Sequence, residues 1–290
     1  MRVLRAFLTY SIGIMGIGIP QPHTAAQNWI VQAYEQGLIP APAYSLILGR
    51  KQSGSGFTDG SLLVIGGYDA DLLEGSIVSF PCDGASHFQI AMDAVIINGQ
   101  TIKRSDGKPM QAIIDVSCIP QFHQLMLQSG TGGVIVGPSH AVDVFYSLIP
   151  GAQTGSQQGT YEFPCGSSYP SVGFQFGGNN FMMNPQDFIL TQEGGTCIGA
   201  LVGQNMPDDL LEEPVWILGN LFMKNFLTIF DLGAPAVGFG QLKSVSSQYG
   251  TYTDVPEYQR TQLGTGPSAT FNPTFQTPQP SGIGVVASEY

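Results

Sequence analysis

The amino-acid sequence predicts an all-β fold class, mainly strands with a few short helices. Three observations carry that expectation. Short apolar runs recur between turn residues, as in Gly60-Ser-Leu-Leu-Val-Ile-Gly-Gly67, Asp93-Ala-Val-Ile-Ile-Asn-Gly99 and Gln111-Ala-Ile-Ile-Asp115. The 290 residues include 38 Gly and 20 Pro, which punctuate the chain too often for long helices. Only residues 25–36 and 139–148 carry helical patterning.

Residues 1–19 admit two readings. Arg2 and Arg5, followed by an apolar stretch to Ile19, have the basic and apolar parts of a signal peptide. No small-x-small cleavage site follows, and Pro20 and Pro22 intervene. The stretch is also too short and too Gly-rich for a stable membrane span. A strand and turn over 11–18, after an atypical start at 1–10, is the expectation. The helix over 25–36 comes next, then strands near 44–48 and 60–67, a strand and hairpin over 87–99, and a strand ending at Asp115. Helix 139–148 and further short strands lead to about residue 242. Past that point Ser, Thr, Gln, Gly and Pro dominate, with Pro256, Pro267, Pro273, Pro278 and Pro280 breaking any long element. Residues 244–290 are expected to be a disordered tail.

Composition excludes several functions. The net charge is −11 with only 10 basic residues, so a nucleic-acid partner is not expected. The histidines (His23, His87, His123, His140) are scattered, and no HExxH, GxSxG, CxxC or phosphate-binding Gly-Lys-Ser/Thr occurs. No metal and no organic cofactor is expected.

One carboxylate stands out. Asp115 ends an apolar strand, and thirteen residues, 116–128, separate it from Ser129-Gly-Thr-Gly-Gly133. Joined directly, they would read Asp-Ser-Gly-Thr: a carboxylate in a tight glycine turn with hydroxyls beside it. Two such carboxylates sharing one proton can activate a water and protonate a peptide carbonyl, because like charges about 3 Å apart cannot both ionise. Residues 116–128, which hold Cys118, read as an aberrant insertion into this turn.

Further segments carry a resemblance to the pepsin-like aspartic peptidases, particularly the fungal secreted type. Ser11-Ile-Gly-Ile-Met-Gly-Ile-Gly18 resembles a strand and turn near the end of that family's first lobe. Gln36-Gly-Leu-Ile39 with Tyr44-Ser-Leu-Ile-Leu48 resembles the helix end and strand that follow. Gly60–Gly67 with Tyr68-Asp-Ala-Asp-Leu-Leu-Glu-Gly-Ser76 is similar to the interlobe strand and crossover. Trp216-Ile-Leu-Gly219 with Leu221-Phe222, then Phe230-Asp231 and Val237-Gly-Phe239, is similar to the closing signature.

The resemblance implies a second lobe of a bilobal fold over 71–243, preceded by a first-lobe remnant and interlobe strands over 11–70. It implies Asp115 as a catalytic carboxylate, Ser129, Gly130 and Thr131 as its turn, and His87, Phe88 and Gly132 as cleft residues. It implies a Cys165–Cys197 disulfide, leaving Cys82 as a half-buried thiol. Asp231 falls on a structural strand, and Asp143 on a surface helix. The substrate would be an extended polypeptide, the chain a monomer, and the compartment extracellular or vacuolar. The family's first catalytic Asp and its flap lie upstream of the segment matching Ser11, and no other Asp here precedes Ser/Thr-Gly. Truncated in this way, the chain is expected to be inactive as written, since one carboxylate near its ordinary pKa cannot serve as acid and base at once. The alternative readings are a non-catalytic peptide-binding remnant and a homodimer in which each chain supplies one Asp.

Overall fold

The computed structural model describes residues 16–19, 28–49, 61–83, 87–115, 133–166, 168–205 and 215–243, and the backbone of 245–247, 250–252 and 284–286. Helix α1 (Trp29–Glu35) leads into strands β1 (Ala43–Ile47), β2 (Leu62–Ile65), β3 (Val78–Pro81), β4 (Gln89–Met92), β5 (Ala94–Ile97), β6 (Gln100–Ile102) and β7 (Met110–Ile114). Strand β8 (Ile135–Gly137) and helix α2 (Ser139–Ser147) follow, then β9 (Gln153–Thr154), β10 (Tyr161–Pro164), β11 (Val172–Phe176) and β12 (Asn179–Met182). Next come β13 (Ile189–Glu193), β14 (Thr196–Gly199), β15 (Leu201–Gly203), β16 (Val215–Leu218), helix α3 (Asn220–Met223), β17 (Phe226–Asp231) and β18 (Ala236–Gln241). Strands β19 (Val245–Ser247), β20 (Gly250–Tyr252) and β21 (Gly284–Val286) lie in the segment expected to lack regular structure. The fold is mainly β with short helices.

Local chemistry explains the elements. Asn28 caps α1 by accepting from the Ile30 N–H at 2.9 Å, which satisfies one of the donors a helix start leaves over. Residues 25–27 of the expected helix lie outside the described residues. Asn98 and Gly99 both take positive φ, at 47° and 80°, and turn β5 into β6 as an Asn-Gly hairpin. All four residues of β5 are buried because β5 lies between β11 and β6 and is packed over rather than facing water.

Four sheets of four or more strands form the body. A six-stranded sheet runs β21-β2-β1-β17-β18-β3, entirely antiparallel, joining residues 43–65 to residues 226–241. A five-stranded sheet runs β15-β8-β16-β7-β4 and mixes parallel with antiparallel pairs. A cluster of phenylalanines welds the six-stranded sheet to β11, β12 and α3. Phe239 sits 5.2 Å from both Phe181 and Phe222, and Phe80 sits 5.6 Å from Phe176. The Phe239 pairs are edge-to-face, and such pairs each contribute about 0.5–1.5 kcal/mol beyond their buried area.

Cys165, just past β10, is bonded to Cys197 on the neighbouring β14, with Cα atoms 5.2 Å apart. The bridge closes a loop of 32 residues in sequence separation, worth roughly 3–4 kcal/mol by chain entropy. Cys82 is a half-buried free thiol. Burial, then the negative charge of Asp231, push its pKa up to about 12, so it is a poor nucleophile. Cys118 lies outside the described residues.

Candidate active site

Asp115 follows directly on β7, a strand whose Ala112, Ile113 and Ile114 are all buried. The neighbours of β7 come from far away in sequence. Strand β16 runs parallel to it in the register Val215↔Gln111 to Leu218↔Ile114, and the Asp115 N–H reaches the Leu218 carbonyl at 3.3 Å. Strand β4 flanks the other side, where the Ile114 N–H donates to the Phe88 carbonyl at 2.9 Å. The next strand in sequence, β8, does not pair with β7 at all. It lies across β16 from it, so β16 is threaded between two sequence-adjacent strands.

Two glycines mark that threading. A Cβ on Gly219 would stand 3.4 Å from the Asp115 carbonyl oxygen and 3.7 Å from that of Val134, ordinary contact distances that put both backbones beside the turn after β16. The chain therefore leaves β7 and re-enters β8 beside the same residue. At Gly137 a Cβ would lie 2.4 Å from the ring of Trp216, which is 1 % exposed. The indole fills the place a side chain would take. Sequence reasoning did not single out Gly137. The pairing of a glycine with a buried aromatic 79 positions later carries no local signal.

Asp115 is half-buried and opens on a cavity of about 160 Å³. The floor is aromatic. Tyr44 stacks on Phe230 with centroids 4.9 Å apart, and Phe88 meets Phe230 edge-on at 4.7 Å. Burial, and then the negative charge of Asp115, raise the Tyr44 phenol well above its usual pKa, so it stays protonated. Tyr44 is a second residue with no signal in the sequence, because nothing local to the 44–48 strand marks its side chain for the site. His87 is exposed and Phe88 buried, and both line the cavity. Ile17, Gly18 and Ile19 form the opposite wall, tied down by the Asn28 side-chain amide, which donates to the Gly18 carbonyl at 2.6 Å.

Among the described residues lining this cavity, Asp115 is the one carboxylate. Ser129, Gly130, Thr131 and Gly132 lie outside the described residues. Asp231 does not line the cavity. Its Oδ1 accepts from the Gly233 and Ala234 N–H groups at 2.8 and 3.0 Å, capping the β17–β18 turn. Burial raises its pKa, partly offset by those two donors. Asp143, on α2, accepts a hydrogen bond from the Tyr161 hydroxyl and faces a different surface. Among the described residues no cluster of three or more His, Cys, Asp or Glu could hold a metal, and no helix is long and apolar enough to cross a membrane.

A mainly β body that presents a strand-end aspartate beside a threaded strand and a glycine turn, above an aromatic floor, is the architecture of an aspartic peptidase lobe. Residues 4–242 match the family described as eukaryotic aspartyl protease, and the chain belongs to that family. It is 30 % identical over 241 residues to cathepsin E-A of Xenopus laevis, covering 80 % of this chain and 55 % of the relative. It is 28 % identical over 236 residues to pepsin A of Canis lupus familiaris, again covering 80 % and 55 %. An aspartic protease of Phaffia rhodozyma matches at 28 % over 241 residues, covering 80 % of this chain and 51 % of the relative. The chain thus spans about half the length of the curated relatives it matches.

Proposed function

We propose that Asp115 is one catalytic carboxylate of an aspartic endopeptidase site, and that residues 71–243 are the lobe that carries it. What supports this reading is the placement of Asp115: it ends β7 beside the Leu218–Gly219 turn and opens on the Tyr44–Phe88–Phe230 cavity. In this reading Ser129, Gly130 and Thr131 form the turn and hydroxyl donors about the carboxylate, and His87, Phe88 and Gly132 contact substrate. Water is the nucleophile and an extended polypeptide the substrate. Large apolar residues flank the cut bond, because the cavity floor is aromatic. The secretory or vacuolar pathway suits the Cys165–Cys197 bridge, which needs an oxidising compartment to form.

A single carboxylate cannot take a proton from water and give one to the carbonyl in the same step. The chain taken alone is therefore a site in need of its second Asp, and the half of the relatives' length that it does not match is where that residue would come from. The test uses the chain as written against an unstructured protein at acidic pH, with Asp115→Asn as control. The expected result is no hydrolysis above control. Adding an upstream pepsin-type lobe and deleting 116–128 is expected to produce Asp115-dependent cleavage. Failure of that restored form would overturn the assignment of Asp115. Cleavage by the unaltered chain that rises with the square of its concentration would instead favour a homodimer giving one Asp from each copy.

The second reading, a peptide-binding lobe without catalysis, is favoured by the one-carboxylate cavity. It predicts that the chain binds extended apolar peptides with equal affinity whether residue 115 is Asp or Asn.

A further inference from the structure

Asp143, Tyr161 and the loop between β9 and β10 have no part in the peptidase reading. They line a second opening, of about 420 Å³, that shares no residue with the Asp115 cavity. We propose that this pocket is a binding site for a neutral carbohydrate. Its volume lies in the range of roughly 300–1,000 Å³ found for small-molecule sites, which the cavity of about 160 Å³ does not reach. Ser139 and Asp143, one turn apart on α2, form one wall. Thr154, Ser156 and Gln158, all exposed, form the other. Among the described residues no Lys, Arg or His lines the pocket, and the chain carries a net charge of −11, so an anion has nothing to hold it. A lone exposed carboxylate pairs weakly with a cation in water, because solvent screens the pair and the side chains must be ordered. What the lining offers instead is a mixture of donors and acceptors, and a sugar hydroxyl is both at once.

Asp143 is the anchor. Its Oδ1 accepts from the Tyr161 hydroxyl, which fixes the carboxylate and leaves Oδ2 for a ligand. That bond, then burial and the Asp143 charge, push the Tyr161 phenol up to about 12, so the donor keeps its proton at neutral and acidic pH. An ionised carboxylate accepts from hydroxyls in short, charge-assisted bonds, which are the strong class. The Tyr161 ring stacks on Tyr146 with centroids 4.2 Å apart, and this holds it as a fixed apolar surface beside the polar groups. Both walls are built before any ligand arrives. The Gly155 N–H donates to the Thr160 carbonyl at 2.8 Å, and the Thr160 N–H and hydroxyl both donate to the Gln157 carbonyl, at 3.1 and 2.6 Å. Gly159 takes a φ of 75°, and its carbonyl accepts from the Gly203 N–H at 2.8 Å. A Cβ there would stand 2.1 Å from the Gly203 carbonyl oxygen, so the loop lies backbone to backbone on the end of β15 in a way only glycine allows. The Ser139 N–H donates to the Asn205 side chain at 3.0 Å, which ties the other wall to the residues just past β15. A preformed lining spares a ligand the cost of ordering it.

An amide NMR titration of the chain as written tests this independently of any proteolysis. Methyl α-mannoside, cellobiose and diacetylchitobiose are the sugar probes, and N-acetyl-lysine amide is the cationic comparison. At least one sugar is expected to shift the signals of residues 139–143 and 154–161, with a Kd on the order of 1–10 mM, and to leave those of 110–115 in place. Asp143→Asn keeps the size of the side chain and should weaken that binding roughly fivefold or more, because the charge-assisted acceptor is gone. Thr154→Val, nearly isosteric and on an exposed strand, should weaken it about two- to threefold. Three results would each overturn the proposal. One is no shift with any of the sugars up to roughly 50 mM. Another is equal affinity in the unaltered chain and both variants. The third is that the lysine probe binds this pocket more tightly than the sugars, which would make it a cation site.

Discussion

Asp115 and Asp231 both stand at the ends of buried apolar strands, β7 and β17, yet the two carboxylates have different fates. Asp231 is consumed by its own turn: the chain reverses within a few residues, and the Gly233 and Ala234 N–H groups come back to its Oδ1. Its strand pairs antiparallel with the distant β1 on one side and with β18, the next strand in sequence, on the other, and the β17–β18 hairpin itself supplies the donors. Asp115 ends a strand that lies between β16 and β4, neither of which is joined to it by a tight hairpin. Its side chain opens instead on a cavity walled by four other segments of the chain. The contrast is one of position: one strand end is folded into a hairpin turn, and the other lies at a cavity where distant segments meet.

The largest expected effect tests the threading. Trp216→Ala removes the indole that fills the space over Gly137 between β16 and β8. A loss of roughly 3–5 kcal/mol in urea unfolding is expected, as for other buried Trp truncations. A loss under about 1 kcal/mol would show that the threaded arrangement does not depend on that packing. The comparison of the two aspartates is sharper still. Asp231→Ala leaves two turn N–H groups without their acceptor and is expected to cost about 1–2 kcal/mol. Asp115→Ala should cost less than Asp231→Ala in the same assay, because its side chain lines a cavity while that of Asp231 is bonded into the β17–β18 turn. The reverse order would break the contrast.

The smallest effect is in pH dependence. Burial holds the folded-state pKa of Asp231 above its unfolded value, so the folded chain binds this proton more tightly than the unfolded chain does. Ionised Asp231 therefore weighs against the fold near neutral pH, and that weight lifts as pH falls through the raised folded pKa. The associated stability is fully present below the ordinary carboxylate range. Measured against Asp231→Asn, the native chain should gain stability on going from neutral pH to about pH 4. A constant difference between the two across that range would mean that burial does not perturb Asp231.

Much of this was legible without coordinates because it is local. The helix at Trp29–Glu35, the Asn98-Gly99 hairpin and the β7 strand each follow from periodicity, a capping side chain or a turn residue within a few positions. Asp115 is legible because it ends an apolar, β-branched strand and a Ser-Gly-Thr run lies nearby in the sequence. The tail was less legible. Its proline-rich composition pointed to disorder throughout, while β19, β20 and β21 depend on pairings of only three residues each, below what composition reveals. Gly137 against Trp216 and Tyr44 beside Asp115 were not legible, since each joins residues at least 71 positions apart.

By itself the sequence determined the strand-rich class, the family, and the identity of the carboxylate worth watching, because turn chemistry, strand patterning and segment order are written along the chain. Tertiary structure alone decided which strand lies between β7 and β8, what forms the floor beneath Asp115, and why Asp231 is a cap rather than a partner. Those outcomes depend on pairing and close packing between distant segments. Their energies are set by which surfaces meet, and no stretch of sequence carries that choice on its own.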